Sequence, residues 1–243
     1  MPLFSSTVTN YWQATFSSGN VVRGDDGFTI AITPDLDEDG AAMVLRTADG
    51  RGMAAVTPAL SEKLALSGRS SLSEPVFRQM LLEAGITLHD ADYLFYFAEA
   101  EKPALIEEQS PGLVRLLTPQ DAAVFAEFQS SASVEDLDAA YVELDHWSVF
   151  GAFEDGRLVC AASMYPWQGD SRLADLGVLT LATHRGKGHA RGVVRAISRY
   201  ALGKGYEPQY RCQLDNHASA ALAKATGVTL FGEWEPVSPA SDS

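Results

Sequence analysis

Cysteine, basic residues and long apolar runs are all scarce in this chain of 243 residues. Its two cysteines, Cys160 and Cys212, are too few for a disulfide framework and lack the paired spacing of a zinc site. Reduced thiols in a cytoplasmic protein are expected, without a metal. No apolar run reaches the roughly 20 residues that span a bilayer. The first residues also lack the basic and apolar segments of a signal peptide.

Positive charge is outnumbered, because 18 Lys and Arg stand against 32 Asp and Glu, for a net charge of −14. Nucleic-acid binding depends on cations that neutralise phosphates, so no nucleic-acid partner is expected. An anionic membrane surface would be repelled in the same way. Either a small-molecule amine or a protein amine would be attracted, although acidity also simply favours solubility.

Composition divides the chain near residues 100–112, where proline, glycine and charged residues cluster. Residues 1–108 contain 7 Lys/Arg and 16 Asp/Glu, against 11 and 16 in residues 109–243. We predict two α/β domains with these bounds. The first has strand-like runs and a helix that begins at Ser73-Glu74-Pro75, but no catalytic constellation.

The second half alternates strand and helix patterns, which is typical of an α/β domain. A hairpin is predicted from Trp147–Phe153 and Leu158–Met164, with Asp155-Gly156 at its turn. Further strands are predicted over Asp175–Leu181, Tyr210–Leu214 and Val228–Trp234, and helices over Ala122–Phe128, Gly188–Leu202 and Ala218–Ala225.

Glycine concentrates in the segment RGKGHA, residues Arg185–Ala190, between a predicted strand and a predicted helix. Glycine lets backbone approach a ligand closely, and free N–H groups at a helix N-terminus favour an anion such as a diphosphate. Arg191, Arg195 and Arg199 recur every four residues and form one stripe on that helix. The stripe either serves the same anionic ligand or pairs with the acidic first half.

Two other types of phosphate-binding loop fit this segment less well. A Walker A loop requires four residues between its glycines, then Lys and Ser or Thr, and the chain has none. A dinucleotide fingerprint requires G-x-G-x-x-G, and here Gly186 and Gly188 are followed by Gly192, one residue late. Glu207, about 20 residues further on, keeps a dinucleotide-binding oxidoreductase as an alternative. However, Glu207 is expected before the next strand rather than at its end.

The segment Arg185–Ala190 resembles the acetyl-CoA signature Q/R-x-x-G-x-G/A of the GCN5-related N-acetyltransferase (GNAT) superfamily. The segment Asn216–Val228 resembles that family's N-x-x-S-x-x-L-x-x-x-x-G-F, with Val228 where Phe is usual. The resemblance covers about residues 112–236. It implies a mixed, splayed central sheet flanked by helices, and acetyl transfer from acetyl-CoA to an amine. Residues 1–108 would be an additional α/β domain, either a degenerate copy of the fold, a cover for the acceptor cleft or a homodimer interface.

The resemblance also implies which residues contact acetyl-CoA. The pantetheine arm would pair with the backbone of Val178, Leu179 and Thr180, and an N–H near Leu179 would polarise the acyl carbonyl. The residues implied around the diphosphate are Arg185, Gly186, Lys187, Gly188, His189 and Ala190. Asn216 and Ser219 would contact the cofactor from the second motif.

Acyl transfer requires a base for the amine proton and an acid for the departing thiolate. Candidate bases are Asp175, on the cofactor strand, and Glu143, Asp145 and His146, just before the hairpin. Many relatives place a tyrosine acid seven residues after the motif asparagine, where this chain has Ala223. That departure keeps a non-catalytic acyl-CoA-binding or sensing protein as an alternative. Aromatic side chains surround cations well, so Tyr165 and Trp167 are expected to line the acceptor pocket.

Overall fold

The structure, a computed structural model, describes residues 2–23, 27–34, 36, 40–69, 72–109, 112–168 and 171–237. Two residues of the predicted linker, Ser110 and Pro111, lie outside these ranges. The chain forms two compact units. We call them the N-terminal unit (Thr9–Leu94, Cys212–Asn216 and the residues from Leu230 onward) and the C-terminal unit (the residues up to Val8, Phe95–Arg211 and His217–Thr229).

The N-terminal unit contains a mixed sheet and three helices among its described residues. Its elements are α1 (Ser6–Ser17), β1 (Asn20–Arg23), β2 (Thr29–Ile32), β3 (Ala42–Thr47), β4 (Gly52–Val56), α2 (Pro58–Lys63), α3 (Glu74–Glu83) and β11 (Thr229–Pro236). The strands run in the order β1-β2-β4-β3-β11, and only β2 and β4 are parallel neighbours in this unit. The predicted helix at Ser73 is α3, where Pro75 stands in the first turn and Phe77 is fully buried.

The C-terminal unit contains the predicted hairpin, the segment Arg185–Ala190 and the second motif from His217 onward. Its elements are α4 (Lys102–Glu107), β6 (Val114–Leu116), α5 (Ala122–Ser130), α6 (Val134–Ala140), β7 (Ser148–Glu154), β8 (Arg157–Pro166), β9 (Leu173–Thr180), α7 (His189–Gly203), β10 (Glu207–Gln213) and α8 (His217–Thr226). The strands run β10-β9-β8-β7-β6, antiparallel throughout except for β10 and β9. A further strand, β5 (Asp92–Tyr96), is divided between the two units.

The sheet of the C-terminal unit opens between its two parallel strands. Their ladder begins with Glu207 opposite Leu173, and no pair beyond Tyr210 opposite Leu176 joins these fully described strands. On its other side, β9 stays paired with β8 as far as Thr180. The backbone of the last four residues of β9, Gly177–Thr180, therefore faces a gap on the β10 side. The predicted α/β class and splayed sheet are confirmed.

Local sequence explains the β7–β8 hairpin, which precedes β9 in the chain, and helix α7, which follows it. At the turn between β7 and β8, Asp155 has φ +52° and Gly156 has φ +79°, the left-handed values that Asp-Gly adopts readily. Helix α7 buries Val193, Val194 and Ile197 completely. Full burial of such a side chain contributes about 1.5–3 kcal/mol.

Element boundaries differ from the predictions by a few residues. The largest shift is in β10, which begins at Glu207 rather than Tyr210. The sequence pattern predicts Glu207 to lie before the strand, whereas in the structure it is the first residue of the strand. The predicted domains, 1–108 and 109–243, stay a prediction, because compact units mark where contacts concentrate and here combine separate stretches of chain.

Candidate active site

A glycine turn follows β9 and leads into α7. Gly186 has φ +78° and Gly188 has φ +85°, and a Cβ added to either would meet nothing within 4 Å. Glycine is thus favoured here because it adopts the left-handed backbone conformation readily, and not because a side chain would lack space. The N–H of Gly192 bonds the carbonyl of Gly188 at 3.1 Å. The N–H groups of His189 and Ala190 precede that bond and have no acceptor within the helix, so they point toward its open end.

The basic side chains of this turn are paired with partly exposed carboxylates. Lys187 Nζ lies 2.7 Å from Glu154 Oε1, and His189 Nε2 lies 3.0 Å from Glu154 Oε2. Arg185 Nη2 lies 2.8 Å from Asp136 Oδ1. The hydrogen bonds from Lys187, and then from His189, lower the pKa of Glu154. Exposed pairs of this kind are weak and exchangeable.

The arginine stripe on α7 is bound to protein. Arg195 bonds the Glu108 carboxylate and, at 2.5 Å, the carbonyl of Thr226, while Arg199 bonds the carbonyl of Glu108. Arg191 donates to the carbonyl of Ala225 at 2.9 Å. Both of the α8 carbonyls lie at the C-terminal end of that helix, where cations are favoured. These contacts support the hypothesis that the stripe pairs with an acid of the first half.

Asp175 lies on β9 just before the sheet opens, and its side chain is nearly inaccessible. Its carboxylate accepts hydrogen bonds from Gln209 at 2.8 Å, Arg211 at 3.1 Å and Tyr165 at 3.2 Å. Gln209 stands opposite Asp175 in the ladder, and Tyr165 stands opposite it on β8. Sequence analysis missed Gln209 and Arg211. Both residues lie on β10, and a parallel pairing of β10 with β9 places Gln209 opposite Asp175. The sequence predicts β10 to begin only at Tyr210, so it does not predict this pairing.

The side chain of Arg211 also stacks over the Trp167 ring, with 4.8 Å from its guanidinium carbon to the ring centroid. The structure thus brings the predicted pocket residues Trp167 and Tyr165 to the two sides of one ion pair. Burial, and next the negative charge of Asp175, raise the pKa of Tyr165 to about 12. Its hydroxyl therefore stays protonated and donates to Asp175 throughout the neutral range.

His146 lies on the same face of the sheet as Tyr165 and contacts Ser163, the next β8 residue on that face. Its Nδ1 is 2.7 Å from Ser163 Oγ, and Ser163 stands opposite Gly177, the first β9 residue beyond the ladder. The rings of Tyr141 and Tyr165 each lie 5.0 Å from the His146 ring. Burial lowers the pKa of His146, against the opposing charges of Asp145 and Glu143. The imidazole is therefore neutral at pH 7, as a base must be.

The segment that carries His146 crosses β9 at Gly177. A Cβ on Gly177 would lie 1.9 Å from the carbonyl oxygen of Ala140, so this approach requires glycine. The adjacent Tyr141 has φ +47° and is 57% exposed. Glu143 is exposed; its backbone N–H donates to Ser163 Oγ at 3.2 Å and its carboxylate accepts from Gln129 at 3.3 Å.

The second motif lies at the start of α8. Asn216 directly precedes the helix and is exposed, with its N–H bonded to the carbonyl of Gln213 at 3.1 Å. Ser219 is half-buried, and its Oγ lies 2.8 Å from the hydroxyl of Tyr210. Ala223, where relatives carry tyrosine, has no exposed surface.

Residues 121–228 match the model of the acetyltransferase (GNAT) family. The C-terminal half of this chain is a GNAT domain. The family and the fold support an acetyl-transfer function. The match contains the candidate bases, the glycine turn and the second motif, whereas residues 1–108 lie outside it.

Solved GNAT structures resemble the chain in fold at low sequence identity. An acetyltransferase of the GNAT family from Colwellia psychrerythraea is 15% identical, with TM-score 0.53 over 97% of this chain and 98% of its own. A GNAT-family protein from Novosphingobium aromaticivorans is 15% identical, with TM-score 0.44 over 63% of this chain and 66% of its own. The GNAT acetyltransferase from Streptococcus pneumoniae is 16% identical, with TM-score 0.41 over 51% of this chain and 96% of its own. No curated protein sequence matches the chain.

Glu207 has a structural partner within the C-terminal unit. Its carboxylate lies 2.6 Å from Lys102 Nζ, and both residues are buried. A ribose ligand would require an accessible acid at the end of a strand. This arrangement argues against a dinucleotide site built on Glu207.

The described ranges contain neither a metal-binding cluster nor a membrane-spanning helix. No group of three or more His, Cys, Asp or Glu side chains there is placed to hold a metal ion. None of the helices in those ranges is both long and apolar enough to cross a membrane.

Proposed function

We propose that the GNAT domain transfers an acetyl group from acetyl-CoA to an amine. The observation that carries this proposal is the opened strand edge Gly177–Thr180, which leads directly to the left-handed turn at Gly186 and Gly188. An extended amide-containing arm followed by a diphosphate fits this sequence of features. The free edge offers backbone hydrogen bonds to the arm, and the start of α7 offers N–H groups to the phosphates.

The proposed contacts follow the two motifs. Val178, Leu179 and Thr180 pair with the pantetheine arm, and the backbone of Gly186–Ala190 holds the diphosphate. Lys187 and His189 then exchange Glu154 for phosphate, which is feasible because the stronger of the two contacts, that of Lys187, is largely exposed. Asn216 and Ser219 approach from α8.

The proposed chemistry begins with a neutral amine, whose nitrogen attacks the thioester carbonyl carbon. Backbone N–H near Leu179 stabilises the oxyanion that develops. The nitrogen loses its proton to Nε2 of His146, whose Nδ1 is held by Ser163. The carbon–sulfur bond then breaks, and the thiolate takes up a proton to give coenzyme A and an amide.

Among the four candidate bases, which include the exposed Asp145, His146 fits the task best. Asp175 already accepts from three donors and is 4% exposed, so it suits the positioning of Arg211 and Tyr165. Glu143 is exposed, and nothing shields its charge from water. The neutral imidazole of His146 is half-buried and lies beside the opening of the sheet.

The surroundings of His146 suit a cationic acceptor. Tyr141 and Tyr165 present aromatic rings, and the charges of Glu143 and Asp145 both act on His146. Aromatic faces and carboxylates attract ammonium groups. The acceptor is accordingly a small-molecule or protein amine that is attracted as its ammonium ion and attacks as the neutral amine after that ion loses a proton to solvent.

Replacement of His146 tests the proposal. His146→Gln should lower kcat by a factor of about 10²–10⁴, the usual contribution of a general base. The Kd for acetyl-CoA should stay within about twofold, measured by calorimetry. The matched control is His89→Gln, which removes an exposed histidine of the N-terminal unit.

The pH profile gives a second readout of the same replacement. The pKa of His146 is lowered from its ordinary 6.5 by burial, so the neutral imidazole persists to lower pH than that of an ordinary histidine. Activity should therefore persist to lower pH than an ordinary histidine allows, and this acid limb should vanish in His146→Gln. Absence of both acetyl-CoA binding and thiol release, across a panel of amines, would refute the proposal.

The alternative function is a non-catalytic acyl-CoA-binding or sensing protein. The buried Ala223 in place of a tyrosine acid is the observation that favours it. Thermal stabilisation by acetyl-CoA without any release of thiol would support this alternative over transfer.

A further inference from the structure

The departing thiolate needs a proton, and Ala223 cannot supply one. The methyl side chain of Ala223 is fully buried on α8 and carries no titratable group. A proton donor therefore has to come from another residue near the opening of the sheet.

A different tyrosine reaches α8 from the sheet. Tyr210 is the last β10 residue in the ladder with β9, opposite Leu176, and it is 2% exposed. Its hydroxyl donates to the carbonyl of Ser219 at 3.2 Å and lies 2.8 Å from Ser219 Oγ. Ser219 and Ala223 are four residues apart on one helix, so they lie on the same face. The hydroxyl thus meets α8 one turn before the position where relatives carry tyrosine.

We propose that the Ser219 hydroxyl protonates the leaving thiolate and that Tyr210 positions Ser219 and restores its proton. The inference rests on the proposed function, because Ser219 belongs to the motif expected to contact coenzyme A. Ser219 is half-buried and able to touch a ligand, whereas Tyr210 is enclosed and acts only through Ser219.

The proton transfers balance in three moves. The Ser219 O–H gives its proton to sulfur as the carbon–sulfur bond breaks. The Tyr210 O–H gives its proton to Ser219 Oγ, and after the product leaves Tyr210 regains a proton from water by way of Ser219. A phenol of ordinary pKa about 10 and a thiol of about 8.5 differ little enough for this exchange. The site lies in the first turn of α8, whose N-terminal dipole favours the thiolate.

The test uses single and double variants of the full chain with acetyl-CoA and an amine that the wild type acetylates. Tyr210→Phe and Ser219→Ala should each lower kcat by about tenfold or more, within the range of acid catalysis. The KM for acetyl-CoA should stay within about twofold. The double variant should lose no more than either single variant, because the two hydroxyls act as one unit.

The pH dependence separates a proton donor from a structural hydroxyl. A thiol has an ordinary pKa of about 8.5, so above roughly pH 9 its thiolate no longer needs a proton. The ratio of wild-type to variant kcat should therefore decrease toward one as the pH rises from neutral to about pH 10. A purely structural loss would leave that ratio constant.

Matched controls lie on α7. Tyr200→Phe removes a hydroxyl from a half-buried tyrosine, and Ser198→Ala removes a buried Oγ that has no hydrogen-bond partner within the described ranges. Both controls should retain wild-type kcat. Full kcat in Tyr210→Phe and Ser219→Ala, or losses that multiply in the double variant, would overturn the inference while the wild type still transfers acetyl groups. A wild type that binds acetyl-CoA but releases no thiol with any amine would overturn both proposals.

Discussion

Two sets of cations lie within the segment Arg185–Arg199 and have different partners. In the glycine turn, Lys187 pairs with Glu154, and the two side chains are 46% and 32% exposed. In the stripe on α7, the Arg195 side chain is 17% exposed and bonds both Glu108 and a helix-terminal carbonyl. The turn thus offers exchangeable charge, whereas the stripe fixes α7 to neighbouring chain. Residue type and spacing alone leave open whether the two sets share one role, and the partners of each set separate the roles.

The largest expected effect comes from the turn. Gly188→Val places a β-branched residue at φ +85°, where left-handed backbone costs an L-residue about 1–2 kcal/mol or more. The Kd for acetyl-CoA should weaken by at least about tenfold, since 1.4 kcal/mol corresponds to that factor. Calorimetric titration measures it. Gly203→Ala, at the end of α7 with open space around it, should leave the Kd unchanged.

A stripe variant should change stability instead of binding. Arg195→Met leaves Glu108 and the carbonyl of Thr226 without their cationic donor, and should lower the free energy of unfolding by about 1–2 kcal/mol. Urea unfolding measures this loss. Arg157→Met removes a looser and more exposed pair, at 3.6 Å from Glu127, and should cost almost nothing. A large rise in the acetyl-CoA Kd of Arg195→Met would contradict the assigned role.

The same stripe pair predicts a pH dependence. The hydrogen bond from Arg195 lowers the pKa of Glu108 below its ordinary 4.5. A lowered carboxyl pKa stabilises the fold above the unfolded value, and that stabilisation is lost as pH falls through the folded value. The stability difference between wild type and Arg195→Met should therefore be constant at neutral pH and shrink below about pH 4.5. Urea unfolding across this range checks the sign.

The smallest expected effect is a gain of affinity. Glu154→Gln releases Lys187 and His189 and removes a negative charge beside the proposed diphosphate. Exposed pairs contribute about 0.2–1 kcal/mol, so acetyl-CoA should bind up to about fivefold more tightly. The neighbouring Asp155→Asn removes the same charge at the hairpin turn and should have less effect. The gain should disappear at high ionic strength; a gain that persists there would point to a different cause.

Local signals predicted much of the C-terminal unit. The Asp155-Gly156 turn, helix α7 and the glycine turn each depend on residues a few positions apart, and the sequence predicts them to within a few residues. Partners distant in sequence could not be predicted in the same way. Glu108 meets Arg195 across 87 positions, and nothing local to either residue indicates the other.

The polar site shows the same limit. Asp175, His146 and Glu143 stood out by residue type and by resemblance, but what surrounds them depends on strand register. Gln209 faces Asp175 only because β9 and β10 are parallel with that register, and Ser163 holds His146 only because β8 and β9 are antiparallel. Short elements such as α6 have too few residues for periodicity to identify them.

The contact of Ala140 with Gly177 limits how this catalyst could be altered. Because a methyl group at position 177 would collide with a carbonyl oxygen, the clearance between segment 140–146 and β9 is set by a missing atom rather than by an attraction. Acceptor preference could thus be re-engineered at exposed Tyr141 or Glu143 while that spacing is kept. A single added carbon at position 177 would lift the whole segment, and His146 with it, without replacing any polar side chain.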